Sequence, residues 1–247
     1  MNPLLVAALA AAGLVIGWGL RAVVIRYAVP SGEQPRSACP ACGHPVLAAR
    51  GLPWPAASPS GRCPGCRVRI GPPPLAVELA TAVLFGGLAA RVHPGLVLAA
   101  ACWLAACAVP LAWIDAAVQR LPDALTATAY AGTAVLLLLA AAASGHWGNL
   151  LRAVLGGLAL AAAYLAVTVI SRSGLGLGDV KLAASLGTLL AWPGWGTLLA
   201  GAFAGFLLGA VYGVGLLASR RATRQQRIPF GPFMIAGAFL ALLANAV

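Results

Sequence analysis

The sequence predicts an all-α polytopic membrane protein of about eight transmembrane helices, interrupted once by a small extramembrane domain. Three observations carry that prediction. Of 247 residues, 61% are hydrophobic and 9% charged, which is too little polar surface to cover a soluble domain. Apolar runs close to the ~20 residues a helix needs to cross the hydrocarbon core recur along the chain. The 16 Lys and Arg residues sort by loop instead of gathering on one polar face, so the formal charge of +11 does not point to a nucleic-acid partner.

The first run is Pro3–Leu20. No basic residue precedes it and further spans follow, so it reads as a retained helix and not as a cleaved secretory signal. Next comes residues 27–74, with eleven of the eighteen prolines and four of the six cysteines, the one sizeable extramembrane segment. The remaining runs are Leu75–Ala90, Gly95–Ile114, Ala124–Ala143, Leu150–Ile170, a short sixth run from Val180 to about Gly196 broken by "WPGW", Thr197–Ala218 and Pro229–Val247. The division that follows is 1–26 as a first transmembrane helix, 27–74 as an extramembrane domain and 75–247 as the membrane-embedded remainder.

Orientation follows from the cations. Arg21, Arg26, Arg36, Arg50, Arg62, Arg67 and Arg69 flank or lie in the loop after the first span, and Arg120 follows the third. Arg172 and Lys181 follow the fifth span, and Arg220, Arg221, Arg224 and Arg227 the seventh, leaving Arg91 and Arg152 near even-numbered connections. Excess Lys and Arg mark the cytoplasmic side, so both termini are expected outside.

In the extramembrane domain, Cys39 and Cys42 ("CPAC") and Cys63 and Cys66 ("CPGC") stand twenty residues apart, the spacing of a closed four-thiolate zinc site. Such a metal is structural, supplying folding energy to a Pro-rich segment with little core of its own. Two disulfides are the alternative, disfavoured in a reducing cytoplasm. His44 could stand in for a thiolate but is not needed with four cysteines present. Cys102 and Cys107 fall inside the third span and read as small packing residues.

Five acids remain to be placed. Charge near an apolar span is costly unless solvated or paired, so each is a candidate by default. Glu33 reads as a surface acid. Glu78, in "PPPLAVELA", starts the second span and reads as a cap or as the partner of an arginine. Asp115 and Asp123 bound the loop "WIDAAVQRLPD", and Asp179 opens the sixth span in "GLGLGDVKLAA", so all three are expected at one depth, the cytoplasmic boundary. Asp123 and Asp179 could each also cap a helix. Two aspartates brought together make a water-activating pair, because like charges a few ångström apart cannot both ionise and one carboxyl keeps its proton. No Ser-x-x-Lys or Gly-x-Ser-x-Gly elbow competes. A phosphate-binding reading of the glycine run fails for want of a preceding strand; its glycines instead allow unusual backbone angles or close approach of a substrate. On the residues alone, aspartyl hydrolysis and a transport or structural role stay open.

The motifs resemble those of the type IV prepilin peptidases, membrane aspartyl proteases with a Gly-x-Gly-Asp motif. The resemblance runs along nearly the whole chain, through "RSACPACGHPV" and "GRCPGC", "PPPLAVELATAVLF", "IDAAVQRLPDALT", "GLGLGDVKLAASLG" and "IPFGPFMIAGAFL". It implies that Asp115 and Asp179 are the catalytic pair, with Asp123, Gly176, Gly178 and Lys181 in support and Cys39, Cys42, Cys63 and Cys66 holding Zn2+. It also implies a prepilin or pseudopilin substrate, with a short basic leader ending in Gly before an apolar helix, cut at the cytoplasmic face of the bacterial plasma membrane for pilus or type II secretion assembly. Many members also methylate the new N-terminus with S-adenosylmethionine. Here the sequence departs from the pattern: "GWGLRAVVIR" carries Arg21 where an asparagine is expected, and "LPWPAAS" replaces an Ile-Pro-Leu-Leu-Ser-Tyr type of segment. A peptidase without methyltransferase activity and a non-enzymatic transporter are the alternatives. The sequence fixes neither the particular pilin nor the oligomeric state.

Overall fold

The computed structural model describes residues 2–46, 61–170, 176–219 and 229–245. Eight helices appear in it: α1 (Pro3–Tyr27), α2 (Ala76–Arg91), α3 (Leu96–Val118), α4 (Asp123–Ser144), α5 (Trp147–Ile170), α6 (Leu177–Ala191), α7 (Trp195–Ala218) and α8 (Gly231–Ala244). Among the described residues there is no β-strand, only the isolated bridges Ala38↔Pro45 and Arg62↔Arg69. Arg50, the "LPWPAAS" segment, Arg172, Gly174 and the arginines at 220, 221, 224 and 227 lie outside the described residues.

The all-α polytopic expectation holds. Five helices, α1, α3, α4, α5 and α7, are long and apolar enough to cross a bilayer. Three are shorter than the ~20 residues of a full crossing: α2 has 16 residues, α6 has 15 and α8 has 14. The sequence reading ran the sixth span to about Gly196. It stops earlier because Pro193 has no N–H to continue the helical hydrogen-bond ladder, and Trp192, still helical in its backbone, is the C-cap. In the other direction, α1 extends past Leu20 to Tyr27.

Without a hydrophobic drive between helices in lipid, close packing decides which ones pair. Glycines provide it. A Cβ on Gly13 would stand 2.7 Å from the Ala82 Cα, and one on Gly17 would stand 2.6 Å from the Glu78 Cα, so α1 and α2 meet backbone to backbone. In the same way, a Cβ on Gly187 of α6 would come within 2.9 Å of the Gly156 oxygen of α5, and one on Gly237 of α8 would collide with the Gly205 nitrogen of α7. Around these pairs, α3 is the hub. Leu98, Ala101, Leu104, Ala105, Ala108 and Leu111 are all buried, in one cluster with Leu182, Leu186 and Leu190 of α6 and Met234, Ala238 and Phe239 of α8.

Two arginines are built into this packing. Arg21 is fully buried and forms a bidentate pair with Glu78, its Nε donating to Oε1 at 2.8 Å and its Nη2 to Oε2 at 2.7 Å. Its remaining donors reach the carbonyls of Pro72 and Pro73, at 3.1 Å each. The departure at Arg21 and the arginine partner expected for Glu78 therefore resolve into one contact, which ties the Pro72–Pro73 stretch before α2 to α1 and α2. At the far end of α6, the Arg152 Nε donates to the Ala191 carbonyl at 2.8 Å, and its Nη2 donates to the Trp192 carbonyl, satisfying acceptors that a helix C-terminus leaves open.

Candidate active site

Four helix ends converge on the aspartates. The last turn of α3 carries Asp115, and Gln119 closes that helix in left-handed geometry (φ 52°), its N–H donating to the Asp115 carbonyl at 2.8 Å. Leu121 and Pro122 then lead straight into α4. Asp179 sits in the first turn of α6, where its Oδ2 accepts the Gly176 N–H at 2.9 Å. In parallel, the Asp115 Oδ2 accepts the N–H of Gly231, the first residue of α8, also at 2.9 Å. Each carboxylate thus sits against a helix N-terminus, whose unpaired amides and positive dipole end favour negative charge. Both side chains are buried, with Asp115 5% and Asp179 8% exposed, and they lie within electrostatic range of one another. Two buried carboxyl groups that feel each other's charge are an arrangement able to supply one acid and one base.

Neither described glycine of the motif adopts an unusual angle, and only Gly178 is needed for space. Gly176 is extended (φ −97°, ψ 162°), and a Cβ there would meet Asp179 only at an ordinary 3.8 Å. At Gly178 a Cβ would come 2.9 Å from the Leu121 Cβ. Gly178 is therefore what lets the α3–α4 connection close onto the first turn of α6, bringing the two aspartates to one place.

Asp123 does not cap α4: Pro122 is the N-cap, and no side-chain capping bond forms. Its Oδ1 instead accepts from the Lys181 Nζ at 2.7 Å, with both side chains well exposed. That pairing gives Lys181 a partner and separates the three aspartates into a buried pair and one surface acid. The sequence reading missed two further groups. Gly231 was visible only as part of "IPFGPFMIAGAFL"; a helix start between two prolines was the available signal that a free amide sits there. Tyr164, 2% exposed, lies within electrostatic range of Asp179. Its ring stacks with Phe206 (5.3 Å between centroids) and Phe230 (6.1 Å), and Phe230 immediately precedes Gly231. Through Phe230 this aromatic cluster adjoins the start of α8 that holds Asp115.

The cysteine cluster forms as its spacing predicts. All four Sγ atoms lie within 4.8 Å of one another, with Cys39–Cys66 and Cys42–Cys63 both at 3.7 Å. A tetrahedron of thiolates at ~2.3 Å from a zinc ion puts its sulfurs about 3.8 Å apart, whereas a disulfide needs ~2.05 Å; the four cysteines are unbridged. Each Cys-x-x-Cys turn closes alike, the N–H of Gly43 donating to the Cys39 carbonyl and that of Arg67 to the Cys63 carbonyl, both at 2.9 Å. Both closing residues have positive φ, 70° at Gly43 and 59° at Arg67. The Ala41 amide, followed by that of Cys42, brings the Cys39 thiol down to about 7 against the opposing effect of burial. Cys42 is pushed up to about 12: the His44 amide favours its thiolate, but the Cys66 sulfur, burial and the other sulfurs outweigh it. Four sulfurs this close cannot all carry charge without a cation among them, so the cluster is built as a metal site. His44 is not among its ligands.

A sequence profile described as the bacterial peptidase A24 N-terminal domain matches residues 11–92, and one described as the type IV leader peptidase family matches residues 98–214. The first covers most of α1, the cysteine cluster and α2, and the second covers all three aspartates; Gly231 lies beyond both. Proteins named prepilin leader peptidase/N-methyltransferase are similar over most of the chain. That of Aeromonas salmonicida (strain A449) is 36% identical over 219 residues, spanning 85% of this chain and 71% of the relative. That of Pseudomonas aeruginosa is 35% identical over 225 residues, with shares of 85% and 71%. That of Dichelobacter nodosus is 34% identical over 216 residues, with shares of 86% and 72%. No solved structure matches.

Proposed function

Because the chain belongs to the type IV leader peptidase family, we propose that it is an aspartyl endopeptidase that removes the short basic leader of prepilin-like precursors at the cytoplasmic face of the bacterial plasma membrane. The observation that carries this reading is the burial of Asp115 and Asp179 within electrostatic range of one another, each held by one amide at the start of a different helix. In the mechanism we propose, one carboxylate takes a proton from a water whose oxygen attacks the scissile carbonyl. The other, protonated, donates to the carbonyl oxygen, giving a tetrahedral diol. Collapse then transfers a proton to the departing amine and restores the shared-proton pair. Asp123, Gly176, Gly178 and Lys181 support this centre without taking part in proton transfer. Both termini face outward in this arrangement, residues 27–74 form the cytoplasmic zinc domain, and 75–247 form the peptidase unit. Zn2+ on Cys39, Cys42, Cys63 and Cys66 is structural, with no coordination position left for substrate.

The test is direct. Asp115→Asn and Asp179→Asn should each abolish leader removal from a precursor in reconstituted membranes, with circular dichroism and thermal unfolding unchanged. Normal processing by either variant would overturn the assignment.

The relatives' names also carry N-methyltransferase, and we propose methylation of the new N-terminus as a second activity. S-adenosylmethionine would supply the electrophilic methyl group. A groove of about 490 Å3 between the cysteine domain and the end of α3 has the size for it, with Trp113 to stack an aromatic ring and Arg69 to meet a carboxylate. Mass spectrometry of a processed N-terminus would show one added methyl mass, and an unmodified terminus would leave a peptidase alone.

A further inference from the structure

Between α4 and α6 lies an open groove of about 330 Å3, lined by Asp123, Thr126, Ala127, Tyr130, Lys181 and Ala184. The α4 positions follow a three- and four-residue spacing and so form one face of that helix. Below its mouth the groove is apolar: the Thr126 hydroxyl turns back to the Asp123 carbonyl at 3.1 Å. Alanines line both walls, and small residues are what allow another helix to approach closely in a bilayer. At the mouth stands the Asp123–Lys181 pair, its side chains 78% and 50% exposed. Lys181 lies two residues beyond Asp179, so the mouth of the groove stands at the same end of α6 as Asp179.

Charge separates this site from the rest of the surface. The chain carries +11 and has only five acids. Glu78 is tied to Arg21, and Asp115 and Asp179 are buried. Glu33 and Asp123 are the exposed acids, and of these Asp123 lines a groove whose mouth is at the Asp179 end of α6. A cationic peptide is repelled over most of such a surface and drawn to that point.

We infer that the α4–α6 groove seats the apolar helix of the precursor, and that Asp123 receives the basic leader as its cation displaces Lys181. The inference rests on the leader-peptidase reading above. An exposed ion pair is weak enough to be exchanged in this way, and Lys181 keeps Asp123 neutralised until substrate arrives.

The experiment uses the full chain in liposomes and a precursor with a basic leader followed by an apolar helix. In an Asp179→Asn background, Tyr130→p-benzoylphenylalanine should give a light-dependent adduct mapping to the precursor's helix. The same probe at Val211, exposed on α7, should give none. Independently, Ala184→Trp should lower the ratio of kcat/KM on the full precursor to that on a short leader peptide lacking the helix by about tenfold. Asp123→Lys should raise KM for the basic leader, and a precursor with Glu in place of its leader cations should recover it. No adduct at position 130, or an unchanged ratio, overturns the groove while wild-type cleavage of the precursor stands. A wild-type chain that cuts no leader-bearing precursor overturns the functional reading as well.

Discussion

Gly231→Ala tests whether the amide at the start of α8 positions a catalytic carboxylate. The added methyl would stand 2.9 Å from the Asp115 Oδ2 and 3.3 Å from its Cγ, inside ordinary carbon–oxygen contact. The carboxylate is the movable partner, so it must turn away and give up its 2.9 Å hydrogen bond from the Gly231 N–H. A hydrogen bond to a charged group contributes about 1.5–3 kcal/mol. If that contribution is realised in the transition state, kcat/KM should fall about 10- to 100-fold. Stability should not fall with it: Gly231 does not have positive φ, and alanine is the better helix former. The assay pairs a time course of leader removal in liposomes with thermal unfolding of the same preparation. Processing within twofold of wild type would refute the positioning argument. A large drop in Tm would show that the methyl disturbed packing and not the carboxylate.

Other perturbations reach the scaffold. Arg21→Met leaves Glu78 buried without its cation and should destabilise by about 3–5 kcal/mol, whereas the double variant Arg21→Met/Glu78→Leu should recover much of this in thermal unfolding; equal losses in both would mean that the pair is not the reason. Cys39→Ser should lower the bound metal measured by elemental analysis and expose residues 27–74 to limited proteolysis, and an unchanged metal content would reject the four-thiolate site. Arg67→Gly should relieve the positive φ at the second turn and raise stability by about 0.5–1 kcal/mol; a loss of stability would show that the arginine side chain, and not the backbone, matters there.

How much could be read from the chain depended on how local the signal was. The cysteine turns were legible because each is a four-residue unit whose spacing fixes the geometry. Asp115 and Asp179 were legible because charge beside an apolar run has few places to go. Contacts between distant segments were not: Arg21 and Glu78 are 57 positions apart, and Gly231 and Asp115 are 116 apart. Neither pairing leaves a periodic trace. Asp123 misled for a related reason, since an aspartate after proline at a helix start fits a cap locally, and only the approach of α6 offers it Lys181 instead. The early end of α6 was in principle readable from Pro193, but the apolar run continues through it and hides the stop.

That early end bears on how water reaches the reaction. Fifteen residues of helix cover about 22 Å, roughly 8 Å less than the ~30 Å hydrocarbon core. Asp179 bonds the first turn of α6 and Arg152 holds the last carbonyls, so the helix cannot gain length by unwinding its neighbours at either end. Most of α6 is buried among the longer helices α3, α4, α5 and α7, so the shortfall lies inside the bundle and not at the lipid boundary. Hydrolysis consumes one water per bond cut, and in an oily medium supply is the scarce commodity. A buried helix shorter than the hydrocarbon core must end at least once below its boundary, and if that end is the first turn of α6, water has to follow it down to Asp179.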